Sequence, residues 1–276
     1  MTVPELRDRK AQGPAIAMVT AYDFTMARLV DEAGVDVVLV GDSLGMVVQG
    51  LSNTLPVTLD EVCYHGRAVA RALLRAHLVG DMPFMSFQVS PAQAIESAGK
   101  MMKEGAFESV KIEGGAEMAE HVARMVSVGI PVMGHVGLVP QRVHALGGFR
   151  VQGKTDEAAD RIVADAIALE QAGAYSLVLE AMPASVATRV TRAVSIPTIG
   201  IGAGGGCDGQ VLVCTDLLGM SRGHAPKFVK RFAELGDAIV SATRAYVDEV
   251  RSGAFPAKEH EYPTPADAPP TPVVSH

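Results

Sequence analysis

Short apolar runs alternate with amphipathic segments along the chain, and this alternation limits the fold more than any other feature of the sequence. Four of the amphipathic segments end at a glycine, and an apolar run follows at once. These glycines are Gly34, Gly105, Gly129 and Gly173. Because glycine readily takes the left-handed conformation that ends a helix, each junction predicts a helix followed directly by a strand.

The same pattern predicts eight strands in all. They cover residues 15–20, 35–41, 77–80, 109–112, 132–136, 176–179, 198–202 and 211–213. Residues 59–76 and 155–172 carry apolar residues at helical spacing, and Thr155 and Asp156 can cap the second helix. Apolar strands that alternate with amphipathic helices form parallel sheets covered by helices. Eight such units favour an α/β fold of the closed (β/α)8 (TIM) barrel type over an open doubly wound sheet.

The length of the chain, 276 residues, fits one barrel domain followed by a tail. We expect a catalytic domain over residues 1–254, with a last helix over residues 227–251 that packs on the barrel or on a neighbouring subunit. Residues 255–276 are rich in proline and poor in large apolar residues, which predicts a flexible tail. Residues 137–154 show little regularity, and a long connection at one end of a barrel is often a functional loop.

Composition narrows the class of partner. The net charge of −7 gives no electrostatic reason to expect nucleic acid or an anionic membrane surface. No apolar run is long enough for a membrane span and the N-terminus has no signal-peptide core, so we expect a cytoplasmic protein that acts on small molecules. Cys63, Cys207 and Cys214 show no CxxC spacing, which predicts reduced thiols and argues against zinc.

Ionisable residues end five consecutive predicted strands. In chain order they are Asp42, Asp81, Lys111 with Glu113, His135 and Glu180. Each alone could be a turn former, an ion-pair partner or a buried core residue. Together they favour an active site, because barrel enzymes build their sites at the carboxyl ends of several strands. Lys111 and Glu113 are two apart, so they should point to the same side.

Several carboxylates that converge with one lysine also predict a cation site. Buried carboxylates repel one another and lose hydration at a high cost unless a cation balances them. All the candidate ligand atoms are oxygens, which suits Mg²⁺ or Mn²⁺ better than zinc.

The glycine-rich run PTIGIGAGGGCDGQ, residues 197–210, formally contains GxGxxG at Gly200, Gly202 and Gly205. It lies late in the chain and leads toward another strand without a clear helix, which argues against a dinucleotide site. We expect these glycines to let the backbone approach a ligand or a neighbouring loop, and a phosphate cradle stays an alternative.

Longer motifs resemble those of the ketopantoate hydroxymethyltransferase family, and the resemblance covers the chain to about residue 255. The motifs are TAYD at 20–23, VGDSLGMVVQG at 40–50, GDMPF at 80–84, VKIEGG at 110–115, GHVGLVPQ at 134–141, GGFRVQGK at 147–154, LVLEAMP at 177–183 and IGIGAGGGCDGQVLV at 199–213. The resemblance implies a (β/α)8 barrel, Mg²⁺, and transfer of a one-carbon unit from 5,10-methylenetetrahydrofolate to 3-methyl-2-oxobutanoate. The product would be 2-dehydropantoate, in pantothenate and coenzyme A biosynthesis.

The resemblance also implies roles for individual residues. Asp42 and Asp81 match residues that bind both the metal and the substrate. Glu113 matches a further carboxylate of the metal site. Ser43 and Lys111 match positions that hold the carboxylate of the keto acid.

The proton acceptor that the resemblance implies is Glu180. We interpret His135, which lies between Glu113 and Glu180 around the ring, as a residue that orients the substrate or supports the site. The family also implies a homo-oligomer, a decamer of two pentameric rings.

Two other interpretations of the site are open. One is a Mg²⁺-dependent lyase or mutase for 2-oxo acids of the isocitrate lyase and phosphoenolpyruvate mutase type. Those enzymes usually use a mobile loop that often carries a cysteine, and no cysteine here stands at a convincing strand end. The other is a barrel that has lost catalysis, against which the intact set of strand-end residues argues.

Overall fold

The computed structural model describes residues 1–223 and 226–262 and forms a closed barrel of eight parallel strands. The strands follow one another around the barrel in chain order, and β8 pairs with β1. Their bounds are β1 Ile16–Thr20, β2 Val37–Val40, β3 His77–Asp81, β4 Ser109–Glu113, β5 Val132–Gly137, β6 Ser176–Glu180, β7 Thr198–Ile201 and β8 Gly209–Leu212. The predicted (β/α)8 barrel is therefore confirmed.

Helices connect the strands and cover the barrel from outside. Their bounds are α1 Val3–Gln12, α2 Phe24–Glu32, α3 Leu44–Val47, α4 Leu59–Ala70, α5 Pro91–Glu104, α6 Ala119–Ser127, α7 Val143–Leu146, α8 Asp156–Gln171, α9 Ala184–Ala193, α10 Cys214–Leu217 and α11 Leu235–Ser252. Short 3₁₀ helices lie at Ala116–Met118, Pro140–Arg142 and Lys258–His260. Among the described residues, no helix combines the length and the apolar composition that a membrane crossing requires.

Successive strand residues point to opposite faces of the sheet, so they belong alternately to two apolar clusters. The inner cluster includes Val79, Met133 and Val178, and Leu6 of α1 belongs to it as well. The larger outer cluster packs the other strand face, including Val38 and Leu78, against the helices. Every second residue of a strand points into the barrel, up to the carboxyl end of the strand. The alternation therefore decides which polar side chains at the strand ends enter the barrel.

One predicted helix cap is present, and hydrogen bonds to residues elsewhere in the chain move two predicted helix boundaries. Thr155 caps α8 as predicted, with its side chain accepting from the backbone N–H of Ala158. The helix that begins at residue 59 ends at Ala70 rather than at residue 76, because the backbone N–H groups of residues 74–76 donate to the Asp31 carboxylate. The last helix begins at Leu235 rather than at residue 227, since the preceding segment donates its Phe232 N–H to the backbone of α10.

Three of the four predicted glycine junctions have the left-handed conformation, with φ of 93° at Gly34, 89° at Gly129 and 102° at Gly173. At Gly105 the helix ends and a strand follows as predicted, but the expected left-handed conformation is wrong there: its φ is −85°, and its neighbour Ala106 takes the left-handed conformation instead, with φ of 60°. Packing explains this glycine, because a Cβ there would lie 2.6 Å from the Phe107 ring.

The glycine-rich run leaves β7 and enters β8 with no helix between the two strands, as predicted. The described residues of the predicted tail lie near α11, where the Phe255 ring packs edge-on against the Tyr246 ring. The two ring centroids are 5.6 Å apart. The remainder of that tail, residues 263–276, lies outside the described residues.

Candidate active site

A cavity of about 560 Å³ opens at the carboxyl ends of the strands. All the sequence-predicted site residues line it, and the structure therefore brings the whole predicted set together: Asp42, Ser43, Asp81, Lys111, Glu113, His135 and Glu180. The inward parity of the strands explains this for the residues that lie on strands, whereas Asp42 and Ser43 follow the end of β2. On β3, β4 and β6, Asp81, Lys111 and Glu180 each lie two residues beyond the inward positions 79, 109 and 178.

Three buried carboxylates form the closed end of the cavity. Asp42 directly follows Gly41 at the end of β2, Asp81 ends β3 and Glu113 ends β4. One oxygen from each lies within 4.8 Å of one oxygen from each of the others, and none of the residues is more than 4% exposed. Burial and the charges of Asp81 and Glu113 raise the pKa of Asp42 well above its usual value. Such a set is electrostatically unfavourable without a cation among the three side chains.

Lys111 supplies a positive charge within the same cluster. Its Nζ lies 2.7 Å from Asp81 Oδ1 and 3.6 Å from Glu113 Oε1, and the residue is 3% exposed. Burial alone would lower the pKa of Lys111, but the three carboxylates outweigh it and raise the pKa. Lys111 is therefore a permanent cation beside the acidic cluster.

His135 links that cluster to Glu180. Its Nδ1 lies 3.1 Å from Lys111 Nζ, and its Nε2 lies 3.2 Å from Glu180 Oε2. Burial and Lys111 lower the pKa of His135, whereas the carboxylates of Glu113 and Glu180 outweigh them and raise it to about 9. The imidazole therefore lies within ion-pair distance of one oxygen of Glu180. The Glu180 side chain is 19% exposed and is thus more open to the cavity than those of the acidic cluster.

Ser43 is held at the first turn after β2. Its Oγ lies 2.8 Å from the hydroxyl of Tyr22, which follows β1. A Cβ on Gly41 would lie 2.7 Å from the same Oγ, so the glycine leaves space for the serine. Tyr22 lies within the TAYD motif, but its position gave no sign of a contact with the next strand.

Sequence reasoning missed Gln141, which lies in the short 3₁₀ helix after β5. Its side-chain Nε2 donates to Asp42 Oδ2 at 3.1 Å, and its backbone N–H donates to Glu113 Oε2 at 3.1 Å. Two signals were available: Gln141 lies in the irregular segment 137–154, which predicts a functional loop, and it is the last residue of the motif GHVGLVPQ. No periodic pattern singles out an individual residue within such a segment.

The outer part of the cavity is apolar. Leu138, Pro140, Phe149 and Val151 come from the loop after β5, and Phe228 faces them from the segment after α10. Phe149 is 51% exposed, so this aromatic side chain lies open at the mouth. The site thus combines a charged, buried end with a wider apolar entrance.

The chain is similar to a well-populated group of enzymes. A family model described as ketopantoate hydroxymethyltransferase matches residues 1–258. A 3-methyl-2-oxobutanoate hydroxymethyltransferase of Pelobacter propionicus is 55% identical over 262 residues, which cover 95% of this chain and 97% of the relative. The enzyme of the same name from Anaeromyxobacter sp. (strain Fw109-5) is 57% identical over 266 residues, which cover 95% of this chain and 87% of the relative.

Solved structures show the same fold in more distant enzymes. A phosphonopyruvate hydrolase in complex with oxalate and Mg²⁺ has a TM-score of 0.62 at 14% identity, with 94% of this chain and 93% of that chain covered. A 2,3-dimethylmalate lyase of the phosphoenolpyruvate mutase/isocitrate lyase superfamily has a TM-score of 0.59 at 16% identity, with 95% and 92% covered. These likenesses concern the fold, whereas the family model and the relatives above half identity match nearly the whole sequence. The chain belongs to the ketopantoate hydroxymethyltransferase family.

Proposed function

We propose that this protein transfers a hydroxymethyl group to 3-methyl-2-oxobutanoate, with 5,10-methylenetetrahydrofolate as the one-carbon donor, and forms 2-dehydropantoate for pantothenate and coenzyme A biosynthesis. The observation that carries the proposal is the pairing of a buried acidic cluster containing Lys111 with a separate, more exposed carboxylate, Glu180. The membership of the chain in the family supports the same reaction. The reaction needs stabilisation of negative charge at one point and a base at another.

The acidic cluster fits a divalent cation such as Mg²⁺. Its donors are all carboxylate oxygens, they lie close together, and burial together with the neighbouring carboxylates raises the pKa of Asp42. Asp42 and Asp81 would hold the ion, and Glu113 would contribute as a further carboxylate. When bound, the ion would act as a Lewis acid that stabilises negative charge on the substrate's keto oxygen.

The side chains of this chain can bind and orient the keto acid. Lys111 Nζ and the hydroxyl of Ser43 would donate to its carboxylate. The apolar side chains of Leu39, Val178 and Val211 also line the cavity and would receive the branched carbon. A charged group and an isopropyl group would thus each find a matching surface.

Glu180 is the proposed base. It would accept the proton from C3 of the substrate, and the electrons of that C–H bond would form the enolate. The new C–C bond would then form between C3 and the donor's one-carbon unit. One C–N bond of the donor's methylene carbon would break as the C–C bond forms, and its nitrogen would take up the proton held by Glu180. The second C–N bond would break as water adds to the same carbon, which leaves the hydroxyl group on the product and the second proton on tetrahydrofolate. His135 would orient Glu180 throughout, and the apolar mouth at Phe149 and Phe228 gives the larger donor a surface outside the keto acid.

Exchange of the C3 proton with D₂O tests the role of Glu180 without the folate. The Glu180→Gln variant should bind Mg²⁺ and keto acid as the native protein does but lose exchange, because an amide cannot accept the proton. Glu117→Gln is a matched control, since Glu117 is partly exposed and pairs with Arg142 in the loop after β5. Exchange at the native rate in Glu180→Gln would remove this residue from the role. Native protein that forms no 2-dehydropantoate from the complete mixture would refute the proposed function.

We also propose that the protein is a homo-oligomer, a decamer as the family resemblance implies. Along α11, Ile239, Tyr246 and Val250 lie seven and four residues apart on one stripe, and each is at least 45% exposed. A second copy of the chain would cover this stripe. In light scattering, Ile239→Glu should lower the mass of the assembly, whereas Ser241→Glu, off the stripe, should not. An unchanged mass for Ile239→Glu would contradict the role of the stripe.

The three cysteines are free, and two of them, Cys63 and Cys214, are buried. Free thiols agree with a reducing compartment, and we propose that the protein is located in the cytoplasm.

A further inference from the structure

Gln141 is bonded on every polar side-chain atom. Its Nε2 donates to Asp42 Oδ2 at 3.1 Å and to the carbonyl oxygen of Met82 at 2.9 Å, and its Oε1 accepts from Gln88 Nε2 at 2.9 Å. The carbonyl oxygen of Met82 can only accept, so the amide nitrogen must face it and the amide oxygen must face Gln88. The orientation of the Gln141 amide therefore follows from its partners.

The same residue contacts a second carboxylate through its backbone. The N–H of Gln141 donates to Glu113 Oε2 at 3.1 Å, while the side chain holds Asp42. Gln141 thus connects the carboxylate after β2 with the carboxylate at the end of β4. It is 4% exposed, so water cannot easily replace these bonds.

An amide suits this place because it is neutral. It donates to one oxygen of Asp42 and leaves the charge of the carboxylate available to a cation. A lysine would cancel part of that charge, and a carboxylate would add repulsion to three carboxylates whose oxygens already lie within 4.8 Å of one another. The other oxygen, Asp42 Oδ1, accepts no hydrogen bond from any described residue and is free to bind a ligand.

We infer that Gln141 is a positioning residue for the proposed cation site: it fixes the orientation of Asp42 relative to Glu113, and Gln88 in turn fixes Gln141. This inference rests on the proposed function, because it concerns the same acidic cluster. Residues that hold metal ligands in place commonly change metal affinity or activity by about 10- to 100-fold when they are mutated.

The test is the affinity for Mn²⁺, measured by electron paramagnetic resonance on the full chain without substrate. Gln141→Leu should weaken binding by about 10-fold or more, since Asp42 loses the one side-chain donor that the described part of the chain provides. Gln88→Leu leaves the bond between Gln141 and Asp42 intact and should weaken binding by about fivefold, the equivalent of one neutral hydrogen bond. The matched control is Gln49→Leu, because Gln49 Nε2 also donates to a carboxylate, Glu61 at 2.8 Å, but on the surface. It should bind Mn²⁺ as the native protein does.

A second readout separates positioning from a purely structural role. C3 proton exchange by Gln141→Leu should return toward the native rate at saturating Mn²⁺, so the loss should lie in the concentration of metal required and not in the maximal rate. Gln141→Asn, whose amide is one methylene too short to reach Asp42, covers the case in which leucine prevents folding. If the native protein binds Mn²⁺ and a folded Gln141→Leu or Gln141→Asn variant binds it with the same affinity, the inference is overturned and the proposed function is not. A native protein that binds no Mn²⁺ would overturn the proposed function and the inference with it.

Discussion

Replacing Lys111 by methionine removes the positive charge from the acidic cluster with little change in volume. The ammonium lies 2.7 Å from Asp81 and 3.6 Å from Glu113, and all three side chains are nearly inaccessible to water. Methionine fills the space of the lysine stem but leaves three buried carboxylates without a counter-charge. We therefore expect Lys111→Met to destabilise the metal-free protein.

The distances set the size of the effect. At an effective dielectric constant of about 20, two unit charges 2.7 Å apart attract by about 6 kcal/mol. Part of this is offset in the native protein by the cost of burying the lysine, and part is recovered in the variant when a carboxylate takes up a proton. Removal of one partner from a buried ion pair typically costs about 3 to 5 kcal/mol. For a domain of this size, that corresponds to a fall in Tm of about 10 °C.

Urea unfolding and thermal unfolding at pH 7 without metal measure this loss. Lys100→Met is the matched control, because Lys100 forms a solvent-exposed pair with Asp60 whose attraction is screened by water. Mg²⁺ should stabilise Lys111→Met more than it stabilises the native protein, since a bound cation restores the missing charge. A loss of stability in Lys111→Met no larger than in Lys100→Met would refute the view that Lys111 balances the cluster.

Two further predictions concern the scaffold around the site. Burial would raise the pKa of Asp31, but the backbone N–H groups of residues 74–76 outweigh burial and lower the pKa. The stabilisation by this carboxylate is therefore present above about pH 3.9, the unfolded value, and is lost as the pH falls through the lower folded pKa. Asp31→Asn should therefore cost about 1.5 to 3 kcal/mol in urea unfolding at pH 7, with a gap to the native protein that narrows below pH 4; a constant gap would contradict this account. Gly137→Ala should reduce C3 proton exchange as well as stability, because φ is 100° and a Cβ would lie 2.3 Å from the carbonyl oxygen of Glu180. Gly129→Ala, at a φ of 89° with no atom within 4 Å of the added Cβ, should lose stability only, and equal exchange rates in the two variants would argue against a link from Gly137 to Glu180.

Helix boundaries show the limit of local pattern. The apolar spacing after residue 59 continues to residue 76, yet the helix stops at Ala70. The competing partner for the next backbone segment is Asp31, which lies more than forty residues earlier in the chain. Gly105 is similar: the sequence suggested a left-handed helix end, whereas the need for a glycine comes from the Phe107 ring against it.

The same contrast between local pattern and distant contacts holds for the residues of the site. Asp81, Lys111, Glu113, His135 and Glu180 could be predicted because each stands on the inward parity of a strand, and barrel closure brings the ends of parallel strands to one face. Gln141 and Tyr22 could not, because they reach the site from loops. A loop has no period that states where its side chains point.

Sequence by itself therefore determined the barrel, the end at which the site forms and the strand residues that enter it, because strand period and helix period act over a few neighbouring residues. Tertiary structure alone decided how those residues are held. The bond between Gln141 and Asp42 joins positions 99 residues apart, and the link between His135 and Glu180 joins neighbouring strands. Such contacts depend on the path of whole loops and on the closed barrel, which no short stretch of the chain records.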